Sequence, residues 1–452
     1  MCTLNTRFSP RPPGPKGKIF KGSLDDFQAD PLDFMTGLAK EYGKISTFRL
    51  GPFQSVYLVN DPDLIKEILV TKQQSFIKSR DIQTLKAVVG EGLLTSEKKH
   101  HMNQRRMIQP SFKKTHIDSY AQDMIDTTQS YISKWRSGEE KIITNDMMDI
   151  ALGIITKTMF SMDFDEGSEI IGQPMEDVMR IGIKRMRSII QIPLWLPTKK
   201  NRKLKRAVKI LDQTIYHIIE KRRNDSNTHS DLLGVLMEAK DENNGEGMTD
   251  KQLRDELMTI FLAGHETTAN MLSWTLYLLS QNPNYEKQLY KEVSDVVGND
   301  SIAPSHFKNL PYTQNVIWES MRLFPPAYVI GRQVDKNVTI GGYQMKKGEM
   351  ILISQYVMHR NPEFFENPDT FIPERFENNF IKSLPTFAYF PFGGGPRVCV
   401  GNHFSVMEGV LSIACIIKEF HLKLAPDHDE VKASPLITLR PRRGLRMILE
   451  KR

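Results

Sequence analysis

Three cysteines in 452 residues, Cys2, Cys399 and Cys415, are too few and too scattered for a disulfide framework or a multi-cysteine zinc site. No run of about 18 apolar residues occurs, and the opening MCTLNTRFSPRPPGPKGKIFKG lacks the apolar centre of a signal peptide. A reducing, cytoplasmic setting without a transmembrane segment is therefore expected. Excess charge is scarce as well: 61 Lys and Arg against 54 Asp and Glu leave +7, too little over this length to point to nucleic acid. Repeats, low-complexity blocks and interior linkers rich in Gly, Ser or Pro are absent too. What is present is an ordinary globular composition, 40% hydrophobic and 25% charged, on a chain long enough for a large core.

The reading along the chain is of an extended Pro/Gly-rich arm over residues 1–30, followed by one large domain over 31–452. Asp30-Pro31 marks the first expected helix start, and ISTFRLGPFQSVYLVN, turning at Gly51-Pro52, reads as a hairpin. Asp61-Pro62 opens another helix, and helical periodicity dominates from Thr95 to about residue 300. DENNGEGMTD, residues 241–250, reads as a loop. Short strands return after Pro325-Pro326 in NVTIGGYQMKKGEMILIS, and a last helix follows Gly401. The fold class is mainly α with a smaller β-rich portion.

Chemistry concentrates in PFGGGPRVCVGNHFSVMEGVLSIACIIKEF, which begins at Pro391. Gly393, Gly394 and Gly395 permit a tight turn in which successive amide N–H groups face one atom, and the following helix start adds positive partial charge. Both lower a thiol pKa and suit a thiolate that binds a soft or borderline metal. Gly401 leaves room for a flat ligand. Cys415, in the apolar run LSIACII, reads as core packing, and Cys2 as exposed. Phe392, Gly395, Arg397, Cys399 and Gly401 fill the pattern F-x-x-G-x-R-x-C-x-G, and in this the chain resembles the haem-thiolate monooxygenases, the cytochrome P-450 family, of the soluble bacterial type.

Three further segments carry the resemblance. In NVIWESMRLFPP, Glu319 and Arg322 stand three apart on one helix face, and they resemble the family's E-x-x-R pair. Pro373-Glu374-Arg375-Phe376 resembles the segment whose arginine completes that network, so Glu319, Arg322 and Arg375 are scaffolding that holds the cysteine loop. In KQLRDELMTIFLAGHETTANMLSWTLYLLS, Gly264 and the polar Glu266, Thr267 and Thr268 interrupt an apolar helix that a purely structural role would leave uninterrupted. AGHETT resembles the family's A-G-x-[D/E]-T-[T/S]. That makes Ala263 and Gly264 neighbours of the haem and of dioxygen, Glu266 a carboxylate for proton delivery, and Thr267 a hydroxyl for reduced oxygen. A threonine bonding back to the preceding turn is the plainer reading of Thr267, and His265 reads as an ordinary packed or hydrogen-bonded histidine. In GLLTSEKKHHMNQRRMIQPSF, His100 and Arg105 match residues that hold a haem propionate, while His101 stands where the family has tryptophan. Arg332 and Arg397 are further propionate candidates.

The resemblance implies a triangular, mostly helical fold holding haem b through Cys399, which inserts one oxygen atom of dioxygen into a lipophilic small molecule. A fatty acid, a terpenoid or a steroid would suit the apolar pocket candidates Leu85 to Val89, Phe261, Ala263, Ala327, Val329, Ile330, Leu436 and Ile437, with a lid near Ile189 to Leu196. Tyr57 occupies the place of a tyrosine that captures fatty-acid carboxylates in one bacterial branch, but Phe53 replaces its arginine. No flavin or nicotinamide module follows residue 452, so a separate electron donor is expected, an acidic flavodoxin or ferredoxin with its reductase. TKKNRKLKR, from Thr198 to Arg206, reads as a solvated helix face. A monomer is expected. The alternatives are a peroxide-driven peroxygenase of the same fold and a haem-thiolate sensor or carrier, neither of which needs the pair Glu266 and Thr267.

Overall fold

The computed structural model describes residues 11–161, 172–186, 192–225, 231–241 and 245–452. Cys2, the lid positions 189–191 and residues 242–244 of the expected loop lie outside the described residues. Contacts divide the chain into two compact units. The first comprises Met1–Arg80, Ala327–Thr370 and Asn378–Cys399; the second comprises Asp81–Pro326, Phe371–Glu377 and Val400–Arg452. Both units draw on alternating stretches of the sequence.

The first unit is built on a five-stranded sheet. Its strands run in the order Ile45–Leu50, Gln54–Val59, Met350–Ile353, Ile330–Val334 and Phe76–Lys78. The expected hairpin is its edge, with Ile45 opposite Val59 and Leu50 opposite Gln54. Gln54–Val59 then pairs in parallel with Met350–Ile353, a contact between distant segments that local pattern does not reveal. Tyr57, Val59, Ile65, Ile68, Ile351, Ile353, Phe387 and Phe390 form its core. Helix Pro31–Tyr42 starts as expected: the Asp30 carboxylate accepts from the Leu32 and Asp33 amides, a cap worth about 1 kcal/mol. Order begins earlier than the sequence indicates. Leu24–Ala29 is already helical, and the arm is pinned to the first strand, because Thr47 N–H donates to Pro13 O and Ser23 N–H to Arg49 O.

The second unit is helical. Its longest element, Asp250–Gln281, spans 32 residues and begins in a capping box between Thr249 and Gln252. It packs against helices Ile143–Phe160, Pro311–Leu323 and Asn402–Glu419. Trp274, fully buried, stacks on Phe324 with ring centroids 3.9 Å apart. Glu140–Ile142, Arg446–Lys451 and Phe420–Leu424 form a small antiparallel sheet in that order, and Ala433–Pro435 pairs with Leu439–Pro441. The basic run starts helix Lys199–Arg223, capped by Thr198, with Leu204, Ala207 and Leu211 buried and Lys199, Lys200, Arg202, Lys203, Lys205 and Arg206 in solvent. No helix among the described residues is long and apolar enough to cross a membrane.

Candidate functional site

In the first unit the glycine-rich loop is held from both ends. Buried His359 accepts the Phe390 N–H at Nε2, 2.9 Å away, and Gly393 N–H returns to Phe390 O. Gly393 and Gly395 take φ of 71° and 68°, a region that disfavours side chains. A Cβ at Gly394 would collide with the Phe387 ring, and one at Gly395 with the Leu69 carbonyl. The loop closes when Cys399 N–H donates to Phe392 O at 3.0 Å and Val398 N–H to Gly395 O at 3.0 Å. These two amides are used by the loop itself, so the expected convergence of successive amides on the sulfur does not include them. Cys399 is left exposed at the end of the loop. Arg397 lies on the short turn Gly395–Arg397, and Arg332 faces Lys78 across the sheet while donating to Gly331 O. Of the pocket candidates here, Ala327 is exposed, and Val329 and Ile330 are half-buried.

Tyr57 does not present an anchor for a carboxylate ligand. It is buried, and its hydroxyl donates to Glu349 Oε2 at 2.9 Å, with burial and that bond raising its pKa. Phe53 is 94% exposed at the hairpin tip.

In the second unit, Glu319 and Arg322 form a two-bond pair at 2.7 and 2.8 Å, with both side chains fully buried. Arg375 Nε lies 3.6 Å from Glu319 Oε1, which also accepts the Ile372 N–H at 2.9 Å. This is a buried network, unlike the solvated surface pair that such spacing ordinarily produces. His101 and Arg105 share a face of helix Lys98–Ile108; His101 is buried, Arg105 half-buried and His100 exposed.

On helix Asp250–Gln281, Thr267 Oγ1 donates to Ala263 O at 2.6 Å, so its single proton is committed to the preceding turn. Helical assignment continues through this point. Ala263 is exposed, whereas a Cβ at Gly264 would lie 3.0 Å from Ile155 Cδ1. The missing side chain of Gly264 therefore faces the approaching helix Ile143–Phe160. His265 Nε2 donates to Met148 O at 3.0 Å, and burial lowers its pKa to about 4, which keeps the ring neutral. Glu266 is buried. Its Oε1 accepts from Thr438 Oγ1 at 2.7 Å and lies 3.4 Å from Arg440 Nη2, while its Oε2 has no hydrogen-bond partner. Leu85, Val89 and Phe261 are buried, and Leu436 and Ile437 are half-buried at the tip of the Ala433–Pro441 ribbon.

Several residues of this region escaped the sequence reading. Asn270 Nδ2 donates to Thr438 Oγ1 at 3.0 Å, and Trp274 Nε1 donates to Leu439 O at 2.9 Å. Polar groups four apart on an apolar helix were a readable signal for Asn270; nothing local marks Thr438. Asp255 accepts the Glu91 N–H and Glu256 the Leu93 N–H, fixing the segment that follows Leu85 to Val89. Glu408 is buried in helix Asn402–Glu419, and burial holds its carboxyl well above the usual range.

The residues fit a haem group on two observations. Among the described cysteines, Cys399 is exposed on a rigid loop, while burial raises the Cys415 thiol to about 12 and keeps it protonated. At Gly401 the backbone has an ordinary φ of −90°, and a Cβ would meet Phe112 only at 3.7 Å. The polypeptide does not need glycine there; a flat group against Cα would. A mostly helical protein with small sheets that offers one structured thiol in this way is built as a haem-thiolate protein. The sequence model described as Cytochrome P450 matches residues 12–446, and the chain belongs to that family. It is 32% identical to cyclooctatin synthase of Streptomyces melanosporofaciens over 93% of this chain and 92% of that one. It is also 32% identical to cyclooctat-9-en-7-ol 5-monooxygenase of the same organism, over 88% and 86%. The solved structure of retinoic acid bound cyanobacterial CYP120A1 superposes with a TM-score of 0.86 at 25% identity, covering 98% of this chain and 99% of that one. The protein is accordingly a P450 monooxygenase, an oxidoreductase whose cofactor is haem b bound through a thiolate.

Proposed function

We propose that the protein inserts one atom of dioxygen into a terpenoid, with Cys399 as the thiolate ligand and a separate flavodoxin or ferredoxin as electron donor. The haem, when bound, would be held by Cys399 and would supply the activation of dioxygen. The chain's own residues supply position and protons. The loop of Gly393 to Gly395 fixes the sulfur, and Arg105, Arg332 and Arg397, with His100, are the cationic and donor groups for two propionates. Glu266 receives a proton at Oε2, and Thr267 releases its bond to the Ala263 carbonyl to donate toward oxygen. A reducing cytoplasm protects the Cys399 sulfur from oxidation, and the protein acts as a monomer.

The observation that carries this reading is the buried Glu266 carboxylate with one unpartnered oxygen, one residue before a threonine hydroxyl. A carrier has no use for such a pair, and peroxide, which brings its own protons, needs it less. For the substrate, the support is the named action of one relative on cyclooctat-9-en-7-ol, together with the apolar character of the pocket candidates and the engagement of Tyr57 by Glu349, which removes the fatty-acid anchor. The test supplies haem-loaded protein with a surrogate ferredoxin and reductase, isotopically labelled dioxygen, and a panel of terpenoids, steroids and fatty acids. One labelled oxygen in a terpenoid product is expected, and Thr267→Ala lowers product per electron. Product formed only on adding peroxide, or only from fatty acids, overturns the proposal.

A further inference from the structure

Thr438 lies far along the sequence from Glu266 and belongs to none of the motifs, yet it holds that carboxylate. A hydroxyl has one proton to give. Asn270 Nδ2 donates to Thr438 Oγ1 at 3.0 Å, so the Thr438 proton is directed to its other neighbour, Glu266 Oε1, at 2.7 Å. Asn270 and Glu266 stand one helical turn apart, so the rigid helix sets the angle between the two bonds. Thr438 and Glu266 are both buried, and Arg440 adds positive charge beside the same oxygen, Oε1. Every favourable contact therefore falls on one oxygen of the carboxylate. The other, Oε2, remains as the position that takes up and gives back a proton.

We propose that Thr438 is a positioning residue for oxygen reduction: it selects Oε2 of Glu266 as the proton-transferring atom and ties it to the ribbon Ala433–Pro435 and Leu439–Pro441. The inference rests on the reading of Glu266 as the proton-delivery acid. The tie reaches further, because Leu436 N–H donates to Thr438 O at 3.0 Å, while Leu439 N–H donates to Pro326 O and Trp274 Nε1 to Leu439 O. The half-buried tip at Leu436 and Ile437 is thus in register with the acid. A ligand that displaces the tip shifts the Thr438 hydroxyl and with it the carboxylate, which couples occupancy at the tip to proton delivery. Valine keeps the shape of threonine and removes the hydroxyl; serine keeps the hydroxyl.

The experiment uses haem-loaded protein as wild type, Thr438→Val, Thr438→Ser and Glu266→Gln, with a surrogate ferredoxin and reductase and dioxygen itself as the probe. Dioxygen leaves either as peroxide, with two electrons and two protons, or as two waters, with four of each, so the peroxide-to-water ratio reads proton delivery without a known substrate. Hydrogen exchange of the amides in 433–441 reads the tie independently of turnover. Thr438→Val is expected to raise the peroxide-to-water ratio on the order of tenfold, as loss of a bond to a charged group implies, and to speed exchange in 433–441. Thr438→Ser restores both, and Glu266→Gln raises the ratio at least as far. If Glu266→Gln raises the ratio and Thr438→Val does not, the positioning role is overturned while the acid stands. Failure of Thr438→Ser to restore the ratio overturns it as well, leaving only a packing role. If Glu266→Gln changes nothing, the reading of the acid falls and this inference with it.

Discussion

Replacing Glu319 by alanine tests whether the pair on helix Pro311–Leu323 is scaffold. In the structure Glu319 and Arg322 are fully buried and joined by two short bonds, with Arg375 nearby and Ile372 N–H on the same carboxylate. Removing the carboxylate leaves a buried guanidinium without its counter-charge, a loss of about 3–5 kcal/mol. It also deprives the Ile372 amide of its acceptor, which adds about 1–3 kcal/mol. Against a total of roughly 5–15 kcal/mol for a folded protein, this is a large fraction. Urea unfolding followed by tryptophan fluorescence suits the measurement, since buried Trp274 stacks on Phe324, two residues beyond Arg322 in the chain. The midpoint should fall sharply. Changing Glu319 and Arg322 together to methionine should recover part of the loss, because two apolar groups leave no orphaned charge between them. A cost below about 1 kcal/mol, the range of exposed pairs, would refute the reasoning, as would a double variant no more stable than the single one.

Two other outcomes follow from single positions. Gly401→Ala should leave the stability of the haem-free protein nearly unchanged, since φ is −90° and Phe112 lies 3.7 Å from the added Cβ, but should weaken haem retention in a competition with apomyoglobin; equal retention would remove the reason given for this glycine. Glu256 is pushed up by burial to about 8 in the folded protein, so the fold binds its proton more tightly than the unfolded chain does. Its contribution is full below the ordinary carboxylate pKa and is lost as pH rises toward about 8. Wild type should therefore lose stability relative to Glu256→Gln across that window in parallel urea titrations; parallel pH profiles would show that Glu256 ionises normally.

Local chemistry was legible wherever one segment contains all its own partners. Asp30 and Asp61 cap helices with amides two and three residues on, and the hairpin from Ile45 to Val59 closes on itself, so these were readable in order. The cysteine loop was readable because its glycines and its Cys399 to Phe392 bond lie within ten residues of pattern. Features joined across the chain were not. Leu24–Ala29 is six residues long and is stabilised by an arm whose hydrogen bonds go to Ile45–Leu50. Tyr57 looked available until Glu349 was placed against it, and His359 gave no sign that it would receive the amide of Phe390. At Gly264 the neighbour that a side chain would meet, Ile155, belongs to another helix and is likewise invisible in local pattern.

The long helix shows why polar residues in an apolar run deserve individual accounting. Burying a polar group without a partner costs free energy, so most of those retained on Asp250–Gln281 make a bond that an apolar residue could not, Thr259 Oγ1 being buried without one. Asp255 and Glu256 fix the segment after Leu85 to Val89, His265 reaches Met148, and Glu266, Asn270 and Trp274 bind the Thr438 to Leu439 segment. The last three are spaced by four residues, so one face of a rigid rod holds one return loop at three points. Hydrophobic packing alone would set the distance between rod and loop but not their register, because apolar contacts are non-directional. Directional bonds fix it, and Glu266, one of these groups, keeps its second oxygen buried and without a hydrogen-bond partner, so the stripe that orders the loop also fixes where that oxygen lies.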